Sequence, residues 1–331
     1  MTSPPKPMAK ANNISKMLTQ VLGEERFPVQ VDELALEYSH QCFANSPIDK
    51  VVGEELDSLD GLLKANKARS KWLILHNSAT LSEGRQRFTI AHEFGHYLLH
   101  RDQQDLFECS DDDINRGDNN ERDNETEANL FASTLLIPLK DFRRQVDGQT
   151  ISFDLLGYCA DRYGVSLTAA ALRWITIAPK NAVLVVSRDN HMLWACSNET
   201  AFESGAFFAT RKNTIELPQE ALAHSPRLWK TSISEKTQAI RWFPREPASM
   251  PLTEMVKVAG NYDYTLTLLL MPNSEGHGAH HDNEAPPWKT PTSTLSATGN
   301  YPCDRLEMIC DDRPQMAVCL PVSSSCVWLA F

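Results

Sequence analysis

His92-Glu93-Phe94-Gly95-His96 is an HExxH pentad, and no other feature constrains the chain as tightly. Side chains four apart on an α-helix stand one above the other, so both imidazoles reach one cation only if the segment is helical. Glu93 lies beside the same point and is placed to take a proton from water held there. That is the arrangement a zinc hydrolase requires. The flanks agree with a buried amphipathic helix, because apolar residues recur at Phe88, Ala91, Phe94 or Gly95, and Leu98 or Leu99. Gly95 lowers helix stability by about 1 kcal/mol relative to Ala, which suits a position where a neighbouring backbone or the metal comes close.

Two histidines leave a tetrahedral catalytic zinc one protein ligand short, with the fourth place kept for water. The extended zinc motif that adds Gly seven and His ten residues after the first His does not fit, since Leu99 and Asp102 stand there. His100 repeats the four-residue step but drifts about 80° round the helix from His92. It is expected at the helix C-terminus, facing the dipole. The next helical stretch, from Glu125 to a stop at Pro138, offers better geometry. There Glu125 shares a face with Ala128, Asn129, Ala132 and Leu136, and the two alanines let that face press against the first helix. Glu125 is the expected third ligand, and Glu127, on the other side with Leu130 and Thr134, is the fallback. Asn129 is placed to hold a ligand imidazole through its second nitrogen.

At these residues the chain resembles the ImmA/IrrE family of bacterial metallo-endopeptidases. The resemblance rests on Arg85-Gln-Arg-Phe-Thr-Ile-Ala-His-Glu-Phe-Gly-His-Tyr-Leu-Leu-His100, on Glu125-Thr-Glu-Ala-Asn-Leu-Phe-Ala132, and on Leu135-Leu-Ile-Pro138. Phe27 to Ala35, Trp72 to Asn77 and Tyr163 to Arg173 extend it, over about residues 15–270. It implies a zinc-dependent peptidase of gluzincin type, with manganese as the alternative metal. The protein substrate it implies is a basic helix-turn-helix repressor, whose cleavage switches on stress, prophage or mobile-element genes. It also implies a sensor-like domain similar to GAF modules in the C-terminal part. Nothing from Met271 onward resembles the family.

With 331 residues the chain has room for two domains, each with its own core. The expected fold is α+β: a mainly helical zinc-peptidase core with a small edge sheet, a helix-turn-helix-like segment, and a β-rich α+β C-terminal domain. The expected divisions are a flexible tail at 1–13, the peptidase domain at 14–145, the helical segment at 146–178, and the C-terminal domain at 179–331. The strand Lys71 to His76 is expected to edge the cleft and to pair with an extended peptide. Residues 154–163 and 166–174 read as helix, turn, helix. Arg173 is the only cation of the second helix, so packing on the core, not groove reading, is the expectation. Ala182 to Arg188 and His191 to Cys196 flank Asp189-Asn190, a two-residue hairpin signal. Ala239 to Phe243 and Tyr264 to Met271 are further expected strands. Residues 272–301 are expected to form a mobile loop, in which His277, His280 and His281 are incidental. Residues 308–310 and 315–331 are expected as closing strands.

The Pro-rich start does not read as a signal peptide, and no apolar run nears the 18 or so residues of a membrane span. A cytoplasmic protein is therefore expected. None of the eight cysteines forms a CxxC pair, so reduced thiols are expected. A net charge of −11 argues against direct nucleic-acid binding. Asp105 through Glu127 holds ten acidic residues against Arg116 and Arg122, and reads as a solvated loop between the two metal-binding helices.

Peptide hydrolysis with His92, His96 and Glu125 as ligands and Glu93 as base is the function these residues point to. Tyr97, His76 and Arg173 are the candidates for stabilising the oxyanion. A non-proteolytic regulatory protein with a structural metal site and a ligand-sensing C-terminal domain is the alternative. Against it, a structural site needs no general base. A zinc hydrolase acting on small molecules or cell-wall peptides is a further one, weakened by the absence of an export signal.

Overall fold

Two sheets, one mixed and one wholly antiparallel, together with eight α-helices among the described residues give an α+β fold. The computed structural model describes residues 6–57, 59–80, 82–109, 119–210, 213–224, 232–259 and 263–273. The expected 272–301 loop, its histidines, the closing strands and the last four cysteines lie outside them, save for Pro272 and Asn273.

Helix α1 (Pro7–Leu22) opens with proline in its first turn, where the missing N–H costs nothing, and buries Ala11, Ile14 and Ser15. It starts inside the stretch expected to be a loose tail, because Ala11 and Ile14 give residues 7–13 an apolar face to bury. Helix α2 (Val31–Cys42) carries Asp32 and Glu33 in its first turn, where the dipole favours them. Strands β1 (Ile48–Glu54), β2 (Gly61–Ala65), β3 (Trp72–Asn77) and β4 (Leu106–Cys109) form the first sheet in the order β1-β3-β2-β4. The strand expected at the edge, β3, is thus interior, parallel to β1 and antiparallel to β2. The edges are β1 and β4, and β4 lies within the stretch read as an acidic loop. Its alternating pattern buries Phe107 and Cys109 and leaves Leu106 and Glu108 exposed.

Helix α3 (Glu83–Leu99) lies on this sheet and packs on α4 (Asn119–Leu136), whose start takes up more of the supposed loop. Helices α5 (Leu139–Val146), α6 (Phe153–Tyr163) and α7 (Leu167–Ile175) follow. Gly164 ends α6 in the left-handed region, and Ser166 caps α7 by accepting from Ala169 N–H. Every residue of α7 from Thr168 to Ile175 except Arg173 is buried, so no face remains to read a DNA groove. Arg87 of α3 donates to the Gly164 carbonyl, fastening this turn to the site helix.

Asp141 of α5 ties the helices together. It accepts from the Tyr163 hydroxyl at 2.7 Å and from Arg162 Nε at 3.1 Å. Burial alone would raise its pKa; the Arg162 and Tyr163 hydrogen bonds outweigh that and hold it below the ordinary value. A carboxyl depressed in the folded state stabilises above its unfolded pKa, about 3.9, and that contribution disappears as pH falls through the folded value. Asp141→Asn should therefore cost about 1–3 kcal/mol at neutral pH and flatten the acid limb of the stability profile, as read by urea melts. An unchanged midpoint would remove Asp141 from this role.

The second sheet has the order β7-β6-β5-β10-β9-β8, antiparallel throughout. It comprises β5 (Asn181–Arg188), β6 (His191–Ser197), β7 (Ile215–Glu216), β8 (Ile233–Gln238), β9 (Pro251–Ala259) and β10 (Tyr264–Met271), with the short α8 (Glu199–Glu203) after β6. Asp189 and Asn190 both take positive φ, as the hairpin signal requires. One face of β5 and β10 joins the core shared with α7; the other meets Trp242, Phe243 and Leu252. Burial on both faces is why these two strands are nearly continuous apolar runs. Ala239 to Arg241 is a single 3₁₀ turn, not the expected strand. Trp242 turns inward there, and its Nε1 donates to buried Glu254 at 3.1 Å. Among the described residues, Cys42, Cys109 and Cys159 are free thiols.

Candidate metal centre

Helix α3 begins where Ser82 Oγ accepts from Arg85 N–H, and it buries His92, Glu93 and His96 on the side facing α4 and the sheet. Gly95 explains how α4 comes so near. A Cβ there would stand 3.2 Å from Ala128 Cα and 3.1 Å from the Phe131 ring, so any larger residue would push α4 away. Gly61 does the same for β2, since a Cβ would lie 2.4 Å from Thr89 Cγ2 and 3.2 Å from Glu93 Oε1. Arg85 holds this approach by donating to Asp60 at 2.6 Å, one residue before Gly61.

The close packing brings Glu125 of α4 over the two imidazoles. Its oxygens stand 3.0 Å from His92 Nε2 and 3.0 Å from His96 Nε2, and the two nitrogens are 2.9 Å apart. Bonds of about 2.0–2.1 Å to a tetrahedral zinc would set neighbouring donors about 3.3 Å apart, so the triplet matches one ion closely.

Second nitrogens decide whether these rings can act as ligands. His92 Nδ1 lies 2.9 Å from Asn129 Oδ1. An amide oxygen only accepts, so Nδ1 carries the proton and Nε2 keeps its lone pair for a metal. His96 Nδ1 lies 3.1 Å from His100 Nδ1, and His100 Nε2 lies 3.1 Å from Glu127 Oε2. The Glu127 carboxylate accepts from His100 Nε2, His100 Nδ1 accepts from His96 Nδ1, and His96 Nε2 faces the same point. Burial holds the His100 pKa below the ordinary value despite Glu127, which favours the neutral ring this chain needs. His100 is thus a support for His96, not a charge at the helix end. Glu127, the fallback ligand, contacts His100 and not the His92–His96–Glu125 point. His100→Ala should weaken zinc affinity about 10–100-fold in chelator competition, and an unchanged affinity would show that the relay does not matter.

Burial works against a proton on His92, but Cys109 and Glu125 outweigh it and hold its pKa well above the imidazole norm. His96 is pushed down to about 4 by burial, against the pull of Glu125. Burial also opposes charge on Glu125, yet the two histidines hold it well below the carboxylate norm. Glu93 is wholly buried and neither of its oxygens has a hydrogen-bond partner. Burial drives its pKa to about 8. His92, Glu93 and Cys109 form a second cluster, with ligand atoms within 4.8 Å of one another.

The oxyanion candidates fare differently. The Tyr97 hydroxyl donates to Ser46 O, and Arg173 donates to Ile137 O at the end of α4. Both are engaged in holding the fold. His76 leans against Gly53 of β1, where a Cβ would meet its ring at 3.0 Å. Residue spacing did not reveal the His100–Glu127 pair or Cys109. For Cys109 the only local signal was the period-two alternation from Leu106 to Cys109.

Residues 50–174 match the family model Peptidase_M78, the IrrE N-terminal-like domain. Among solved structures the chain is similar to a Mycobacterium tuberculosis transcriptional regulator, at 16% identity and a TM-score of 0.46, with 81% of each chain covered. No curated protein gives a significant match.

Proposed function

Residues 50–174 form an IrrE N-terminal-like domain, of a metallopeptidase family, and from that premise we propose that the protein is a zinc-dependent endopeptidase. The observation that carries the proposal is Glu93, a fully buried carboxylate with no hydrogen-bond partner beside the convergent His92, His96 and Glu125. A site that only stiffened the fold would have no use for so costly a group.

His92, His96 and Glu125 would hold the ion and leave one position open. When bound, zinc supplies Lewis acidity and lowers the pKa of attached water to about 7. Glu93 accepts a proton from the attacking water and returns it to the departing amine. The raised pKa of about 8 suits the second task, and a nearby dication favours the carboxylate needed for the first. Strand β4 pairs with β2 on one side only among the described residues, so an extended peptide would add along its other edge.

The substrate we infer is a basic helix-turn-helix repressor, in the cytoplasm. The acidic run from Asp105 to Glu127, flanking both β4 and α4, supports a basic partner. Raising salt from about 0.05 to 0.5 M should raise KM for such a substrate, and a salt-insensitive KM would remove this role. No helix among the described residues is long and apolar enough to cross a membrane. The decisive experiment is to incubate the zinc-loaded protein with a proteome-derived peptide library and with candidate repressors, using Glu93→Gln as control. Cleavage by the parent protein alone supports the proposal; cleavage by neither, with zinc bound in both, defeats it.

A further inference from the structure

We propose that Cys109 is a fourth protein ligand of this metal site, a thiolate able to close it. The inference rests on the zinc site proposed above and adds a residue to it. Cys109 ends β4 opposite Gly61, and its carbonyl accepts from Asp60 N–H at 2.9 Å, which fixes the backbone next to Glu93. The thiol is buried, and its sulfur, a ligand nitrogen of His92 and an oxygen of Glu93 lie within 4.8 Å of one another. The two unpartnered Glu93 oxygens, on a residue with no exposed surface, sit in the same cluster and are an independent sign that something polar belongs there.

His92 is common to both clusters, so the sulfur approaches the ion position from the side of Glu93. That is the side from which Glu93 would handle water. The two clusters do not merge into a single group, so ligation requires the sulfur to move inward. In forming a metal–sulfur bond the thiol would release its proton to solvent, the sulfur would supply the electron pair, and one water would leave. Charge and atoms balance without any redox partner. Four protein ligands make a closed zinc site with no place for water, and thiolate is a favoured zinc donor. Closure therefore silences the site by displacing water.

The test uses the full-length protein loaded with one equivalent of cobalt(II). The expected result is a thiolate-to-cobalt charge-transfer band in the near ultraviolet, lost in Cys109→Ala while one equivalent still binds. Zinc X-ray absorption of the unmodified protein, which depends on no variant, should show sulfur in the first shell at less than one atom per zinc, as expected of a site that also opens for catalysis. Stoichiometric binding with no sulfur band and a nitrogen/oxygen-only shell would overturn the role of Cys109 and leave the three-ligand site standing. Failure to bind cobalt or zinc in either protein would overturn both.

Discussion

Glu93→Gln should abolish peptide hydrolysis, lowering kcat by about 10²–10⁴-fold, while metal binding is kept. Glutamine has nearly the same shape, so α3, the Gly61 approach and the two histidines should stay in place. What it removes is the ability to accept and return a proton. The parent carboxyl is fully buried without a hydrogen-bond partner, and burial drives its pKa to about 8. The neutral amide should therefore be no less stable, and a small gain in melting temperature is expected. Cleavage assays, zinc content and thermal melts on the same preparations separate these effects. Full activity in Glu93→Gln would reject the base assignment, whereas loss of zinc would make Glu93 a ligand.

His92→Ala should lose both zinc and activity. The ring stands 3.0 Å from Glu125 and 2.9 Å from His96 at one nitrogen, with the other bound to Asn129. Removing it takes away one of the three proposed ligands and leaves the half-buried Asn129 oxygen without that partner. Loss of a supporting residue typically costs 10–100-fold in metal affinity, so loss of a ligand should exceed about 100-fold. Linkage provides a second readout. Zinc at about 100 times its dissociation constant stabilises the folded state by about 2.7 kcal/mol. It should thus raise the melting temperature of the parent protein but not of His92→Ala. An equal shift in both would place the ion elsewhere.

These two variants rest on residues whose grouping follows from helical spacing. His92 and His96 share a face because they are four apart, and Glu125 and Asn129 do for the same reason. The hairpin at Asp189-Asn190 and the cap at Ser166 are equally local, since short polar side chains and tolerance of positive φ determine them within a few residues. Expectations failed where a distant partner decides the outcome. Residues 7–13 are helical because Ala11 and Ile14 have a core to enter. Ala239 to Phe243 turns instead of extending because Glu254, on another strand, receives the Trp242 indole.

Sheet order shows the same limit. The apolar character of β3 was visible, but an apolar strand can be central or lateral. Only pairing with both β1 and β2 makes it interior and leaves the edges to β1 and β4. His100 looked like a helix-end residue because its spacing to His92 drifts. Its ring is decided by Glu127, 27 positions away, and by the packing of α3 on α4.

From its sequence alone, then, this chain specified the faces of α3 and α4 that carry His92, His96 and Glu125, the Glu93 beside them, and the alternation of helical and strand-rich halves. Each depends on periodicity within one segment, which backbone geometry enforces locally. The tertiary structure decided that those faces meet at hydrogen-bond distance, that His100 and Glu127 orient His96, and that Cys109 stands beside Glu93. Such contacts depend on how closely two backbones approach, here through Gly95 and Gly61, and no periodicity within either segment encodes that separation.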